Sequence, residues 1–314
     1  MKKLAGEILL FLVPLIILIS SLEIAVRSMP NQYKYKKAYV QVNNNVIEIL
    51  VLGQSQTQSG LIPENFDLNC FSFAIDAQSL RYDLEIFNKF SVSLNNLSYI
   101  ILPINFYTFY FETARSSQTK AWARNYPLYL GIKTDEVPFY KRFEFTSPVF
   151  KGKLRSFYRS VLHKDRLFNC HPMGNNTIDT LGISNREIWQ RNLKRDGDWQ
   201  IASLHNGQEV KDANIARLSM LIDSCNKKGI RVILVTPPVS ESFRNLYDNK
   251  MLSYLNETCR YGIRLDSLNA HVRYLNYYSS DIFCDSDYMD PTHLNLSGAI
   301  KFTELINSVI SEWE

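Results

Sequence analysis

Two short segments at opposite ends of the 314-residue chain carry residue types suited to nucleophilic catalysis. Ser55 closes Val51-Leu52-Gly53-Gln54-Ser55, directly after an apolar, β-branched run. A serine at the tip of a strand, behind a glycine that permits a tight turn, is presented with free backbone N–H groups nearby. The second segment is Asp290-Pro291-Thr292-His293, just before the last helical stretch. An aspartate three residues before a histidine can orient the imidazole in a turn while the other ring nitrogen faces a serine hydroxyl. Each pattern alone is common in caps, turns and surface loops. Their joint occurrence after the first strand and before the last helix of one chain gives them weight.

The elements that must position these residues alternate. Val46 to Leu52 predicts a buried strand, Asn69 to Ile75 a second, Tyr99 to Asn105 a third and Ile230 to Thr236 a fourth, stopped by Pro237-Pro238. Ser79 to Leu97 carries Leu80, Leu84, Phe87, Phe90 and Leu94 at amphipathic-helix spacing. Ala213 to Lys228 is a further helix closed by Gly229, Glu241 to Arg260 another, and Asn295 to Glu312 the last. Gly262 to Leu265 reads as a short strand. Strands alternating with helices, the central ones continuously apolar, predict a three-layer α/β/α fold around a parallel sheet. In such folds ligands sit outside the carboxyl ends of the strands, so chemistry is expected just after Leu52, Ile104 and Val235.

Composition is that of an ordinary globular protein, 46% hydrophobic and 21% charged, and a net charge of +4 is too small to argue for nucleic acid. Its distribution is uneven. Residues 8–26 carry no charge except Glu23 and, as a helix of roughly 28 Å, match a bilayer core. No small-x-small cleavage site follows, so the expectation is an uncleaved single anchor over 1–27, contacting the lipid bilayer through 8–26, rather than a signal peptide. Lys2 and Lys3 before the span and Arg27, Lys34, Lys36 and Lys37 after it leave its orientation open. Residues 28–314 form the α/β domain, interrupted at about 112–200 by a stretch with sixteen Lys and Arg against nine Asp and Glu and three of the four tryptophans. It reads as an insertion or lid over the strand ends. Its basic balance reads as a solvated surface, or functionally as a face toward lipid phosphates or an acidic polymer. The five scattered cysteines show no metal spacing and His163, His171, His205 and His271 no ligand pattern, so neither metal nor cofactor is expected.

Gly-x-Ser after the first strand and Asp-x-x-His before the last helix resemble the SGNH/GDSL hydrolase superfamily, and most closely its membrane-anchored branch near polysaccharide O-acetyltransferases and esterases. Leu52-Gly53-Gln54-Ser55-Gln56-Thr57, Gln78-Ser79-Leu80-Arg81-Tyr82-Asp83 and His293-Leu294-Asn295-Leu296-Ser297-Gly298-Ala299 carry the likeness. The resemblance implies a flavodoxin-like α/β/α domain, with Ser55 as nucleophile, His293 as base and Asp290 orienting it. It implies ester hydrolysis or O-acyl transfer on envelope or exported glycans, outside the cytoplasmic membrane, with a polysaccharide substrate and an acyl-donating membrane protein as partners. Three departures stand out. Gln54 replaces the family's aspartate, and the third block Gly-x-Asn-Asp is absent. The glycine that lends an oxyanion N–H has no counterpart beyond Asp76 or Ala77. Asn105 and Gln78 are the candidates for the missing oxyanion donor. A non-catalytic scaffold or glycan-binding protein that kept the fold is the rival reading.

Overall fold

Three runs of unbroken apolar sequence form the middle of a parallel sheet. The structure, a computed structural model, describes residues 2–116, 119–163, 170–176 and 186–313. Parts of the 112–200 stretch therefore lie outside the described residues. In chain order come α1 (Lys2–Ser28), α2 (Gln32–Val42), β1 (Ile49–Val51), α3 (Ser55–Gly60), β2 (Cys70–Ser72), α4 (Leu80–Phe90) and β3 (Tyr99–Pro103). Next are α5 (Phe106–Tyr110), α6 (Lys120–Ala123), α7 (Phe150–His163), α8 (Arg186–Ser203), α9 (Gly207–Lys227), β4 (Arg231–Thr236) and α10 (Glu241–Arg244). The chain ends with α11 (Asn249–Leu268), β5 (Val272–Asn276), β6 (Tyr288–Asp290), β7 (His293–Leu294) and α12 (Leu296–Trp313).

These elements fall into two compact units, one of residues 1–37 with 120–169 and one of 38–119 with 170–314. The larger unit holds a five-stranded sheet in the order β2-β1-β3-β4-β5, every pair parallel. Successive strand side chains point to opposite faces, which sorts the core. Ile49, Val51, Ile101, Ile233 and Val235 pack with Ala299, Phe302, Ile306 and Ile310 of α12. Leu50, Ile100, Leu102, Val232 and Leu234 are equally buried and face the other layer, where α4 packs on α9 and α9 on β4. The result is a mixed α/β fold with a central parallel sheet flanked by helices. Its strand order reverses between β1 and β3, the switch point at which open sheets of this kind leave a crevice.

The short strand expected at Gly262 to Leu265 is not there: those residues continue α11. Met251, Leu255, Thr258 and Gly262 form one buried stripe at helical spacing, so the glycine is a point of close approach rather than a stop. A Cβ on Gly262 would lie 2.6 Å from the Tyr274 ring. The fifth strand is instead Val272–Asn276, an edge strand whose first residue alone is buried, which is why it lacks an apolar run. The helix expected over 241–260 is divided into α10 and α11, because Asp248 caps α11 by accepting from the Met251 N–H at 2.8 Å.

In the smaller unit α1 carries one window, Leu10–Ser28, apolar and long enough to cross a membrane, with mean hydropathy 2.2. Its apolar side chains from Leu10 to Ile19 are exposed, as is Ile24, while Glu23 and Val26 at its far end are buried. The Glu23 carboxylate accepts from the N–H groups of Glu144 at 2.9 Å and Phe145 at 3.0 Å, and from Arg27 Nε at 2.5 Å. Glu144 is itself fully buried, held by Lys153 at 2.8 Å, Arg124 at 3.3 Å and the Tyr129 hydroxyl. A buried carboxylate is tolerable only with such partners.

Candidate active site

The turn after β1 places Ser55. Gly53 has φ +102°, and a Cβ there would come within 2.3 Å of the Pro103 ring, so only glycine fits without strain. The Gly53 N–H donates to Asp83 Oδ1 at 2.7 Å, and Gln78 Nε2 donates to the same oxygen at 2.7 Å. Burial pushes the Asp83 carboxyl up to about 7, against the pull of those two donors. Ser55 then opens α3, half-buried, and its own N–H is among the donors that a helix start leaves without an intrahelical partner.

His293 and Asp290 arrive on the antiparallel hairpin of β6 and β7, where they are register partners. Asp290 Oδ1 accepts from the N–H groups of Thr292 at 3.0 Å and His293 at 2.9 Å, which closes the Asp-Pro-Thr-His turn. His293 Nδ1 lies 2.8 and 2.9 Å from the two Asp290 oxygens, and Nε2 lies 2.8 Å from Ser55 Oγ. With the proton on Nδ1 donated to Asp290, Nε2 is the acceptor for the serine hydroxyl. Burial alone would disfavour an imidazolium, but the Asp290 carboxylate outweighs it, with smaller contributions from Asp196 and Asp76, so the His293 pKa is raised. Asp290 is also mostly buried, yet the imidazole and the two N–H donors hold it down at about 2.

A buried polar layer supports this row. Gln54 Nε2 donates to the Tyr107 hydroxyl, which donates to Gln56 Oε1 at 2.9 Å. Gln56 Nε2 reaches the Thr292 carbonyl at 3.2 Å and so ties α3 to the hairpin. Of the two oxyanion candidates, Asn105 caps α5 with Oδ1, accepting from Thr108, and spends one Nδ2 proton on Gln56 Oε1 at 3.2 Å. Gln78 uses Nε2 on Asp83, behind the Gly53 turn.

Sequence reasoning missed Asp196 on α8, from within the 112–200 stretch. It accepts from Thr292 Oγ1 at 3.1 Å and pairs with Arg195 at 2.6 Å. The helix is fixed by the buried Trp189 and Leu193 and by Trp199, whose ring lies 5.4 Å from Tyr107 and 5.0 Å from Phe111. No spacing signal distinguishes Asp196 from Asp198, which is exposed and pairs with Lys194. Asp196, Asp290 and His293 bring one ligand atom each within 4.8 Å of one another, the only such trio among the described residues. Both His293 nitrogens are already engaged, so a cation there would compete with Ser55 or Asp290.

No protein-family model matches the chain, and no curated protein matches it. Among solved structures it is similar to a candidate acylhydrolase from Bacteroides fragilis, at 12% identity and TM-score 0.41, over 88% of this chain and 96% of that one. It is also similar to a GDSL-like lipase from Bacteroides thetaiotaomicron, at 13% identity and TM-score 0.41, over 89% of this chain and 98% of that one.

Proposed function

We propose that the protein is a membrane-anchored serine esterase or O-acyltransferase of SGNH type, working through an acyl-Ser55 intermediate on ester-bearing glycans of the envelope. The observation that carries this reading is the continuous row from Ser55 Oγ through both nitrogens of His293 to Asp290, at 2.8 Å per link. In the first step Ser55 Oγ bonds to the acyl carbon while its proton passes to His293 Nε2. Asp290 keeps the imidazole in the correct tautomer and stabilises the imidazolium. The carbonyl oxygen takes the electron pair and is met by the Ser55 N–H, with the Asn105 side-chain amide as the second donor once it turns from its resting partners. Collapse of the adduct breaks the bond to the alcohol, which takes the proton from His293. Water or a sugar hydroxyl then releases the acyl group by the reverse sequence, giving hydrolysis or transfer.

In this reading α1 anchors the chain with the sheet domain outside the cytoplasmic membrane, a side suggested by the family resemblance alone. The α8 part of the 112–200 insertion shapes the acceptor side, a role supported by the Asp196 contact to Thr292. An acyl-donating membrane protein would supply the transferase mode. Turnover of a short-chain aryl ester by the full chain in detergent is the test. Ser55→Ala and His293→Ala are each expected to lower it by roughly 10⁵-fold or more, the double variant little further, and Asp290→Asn by about tenfold to a hundredfold less than either. Wild-type turnover unchanged in Ser55→Ala would make Ser55 a turn residue. A chain inert towards a range of acyl esters would favour the scaffold reading.

A further inference from the structure

We infer that residues 138–162 form a cationic, aromatic collar resting on the anionic headgroups of the bilayer that α1 crosses. The inference rests on the anchor part of the proposed function and extends it to a lipid-binding surface. Its position follows from the far end of α1. Glu23 holds the backbone of Glu144 and Phe145, and Arg27 Nη2 donates to the Arg142 carbonyl at 3.0 Å. Residues 142–145 are thereby fixed beside the last turn and a half of the apolar window of α1, next to the depth at which headgroups begin. Five residues further on, α7 starts and packs against α1.

The surface chemistry there has two parts. Phe139, Tyr140, Phe145, Val149, Tyr158 and Leu162 are all exposed, with Phe139 the most open at 72%. Between them lie Lys141, Lys151, Arg155 and Arg159, also exposed and without an ion pair among the described residues. On α7 the three cations recur every fourth residue, so they line one stripe, with Tyr158 and Leu162 beside it. The inward cations are used differently: Lys153 pairs with Glu144, and Arg142 donates to the carbonyls of Thr134 and Val137. Glu144 is the one carboxylate in 138–162, and it is buried. A solvated basic face has no need of open phenylalanine, and a protein interface core is depleted in lysine. Cations on long stems among aromatic and aliphatic side chains, continuous with a membrane span, fit a headgroup layer over acyl chains.

The test places the full chain in nanodiscs of phosphatidylcholine alone, or with about a third phosphatidylglycerol, a charge density that attracts such segments. Hydrogen exchange across 138–162 is expected to slow by about threefold or more in the anionic discs and to recover in roughly 0.5 M salt, because surface attraction is screened. The combined variant Lys141→Gln, Lys151→Gln, Arg155→Gln, Arg159→Gln should lose the effect while exchange in the sheet strands stays as in the wild type. The salt arm, run on wild type, keeps the test valid if that variant misfolds. Equal exchange in the two lipids would overturn the collar. So would slowing by a soluble acidic polysaccharide with none from phosphatidylglycerol, which would make the face a polymer site. Release of the chain from lipid by alkaline carbonate would remove the anchor, and the collar with it. Retention with lipid-insensitive exchange removes the collar alone.

Discussion

At the scale of residues, the site depends on how much negative charge surrounds His293. Asp290 is bonded to it, while Asp196 and Asp76 act through space and raise its pKa further. In the proposed mechanism His293 must be neutral to accept the serine proton, so turnover should rise with pH through a limb set above the ordinary histidine value of about 6.5. In Asp196→Asn one of the charges favouring the imidazolium is gone, so the limb should move to lower pH with the plateau rate little changed. A pH–rate profile of the two proteins checks this. A lowered plateau with an unmoved limb would make Asp196 merely a structural partner of Thr292. Ser55, Asp290 and His293 were legible because a short motif carries each of them. Asp196 was not, because its relevance comes from how α8 packs rather than from its own spacing.

At the scale of elements, two backbone positions hold the loops that carry the site. Gly53 and Ala77 both have positive φ, +102° and +52°, and Ala77 is the only described non-glycine residue that does. At Ala77 a residue with a Cβ is held in the left-handed region, its carbonyl accepting from Thr113 Oγ1 at 2.8 Å. Ala77→Gly should therefore stabilise the fold by roughly 0.5–1 kcal/mol. Gly53→Ala should cost about 2 kcal/mol or more, since the new methyl meets the Pro103 ring. Urea midpoints of the two variants, shifted in opposite directions, are the check; a neutral Gly53→Ala would mean that the turn relaxes freely. The same scale shows where periodicity misleads. Unbroken apolar runs marked β1, β3 and β4 correctly because both sheet faces are covered. The edge strand Val272–Asn276 has one open side and so no run to recognise, and Gly262 looked like a break when it is a contact.

At the scale of the whole molecule, α/β alternation and the strand-end position of Ser55 could be read from sequence, because they follow from burial. The division of the chain could not. Residues 120–169 cluster with the N-terminal helix through a buried Glu144 and through Glu23, which in sequence looked like an interruption of the apolar run. Global stability should also report on Asp83. With its carboxyl raised to about 7 in the folded chain, the native state holds a proton that the unfolded chain has lost from about pH 4 upward. Stability contributed at this group thus falls as pH rises from about 4 to 7, by roughly 4 kcal/mol if the whole shift is realised. Asp83→Asn keeps the acceptor for Gly53 and cannot ionise, so its advantage over wild type in urea should grow between pH 5 and pH 8. Parallel pH dependences of the two midpoints would show that Asp83 is ionised at little cost.

Activation of Ser55 by His293 would make the serine react with a fluorophosphonate. Incubated with the full chain in detergent at neutral pH, the reagent should attach to the peptide containing Ser55, and attachment should vanish in Ser55→Ala and fall by orders of magnitude in His293→Ala. A folded wild-type chain that takes up no label, or one labelled equally fast without His293, would mean that His293 does not activate Ser55.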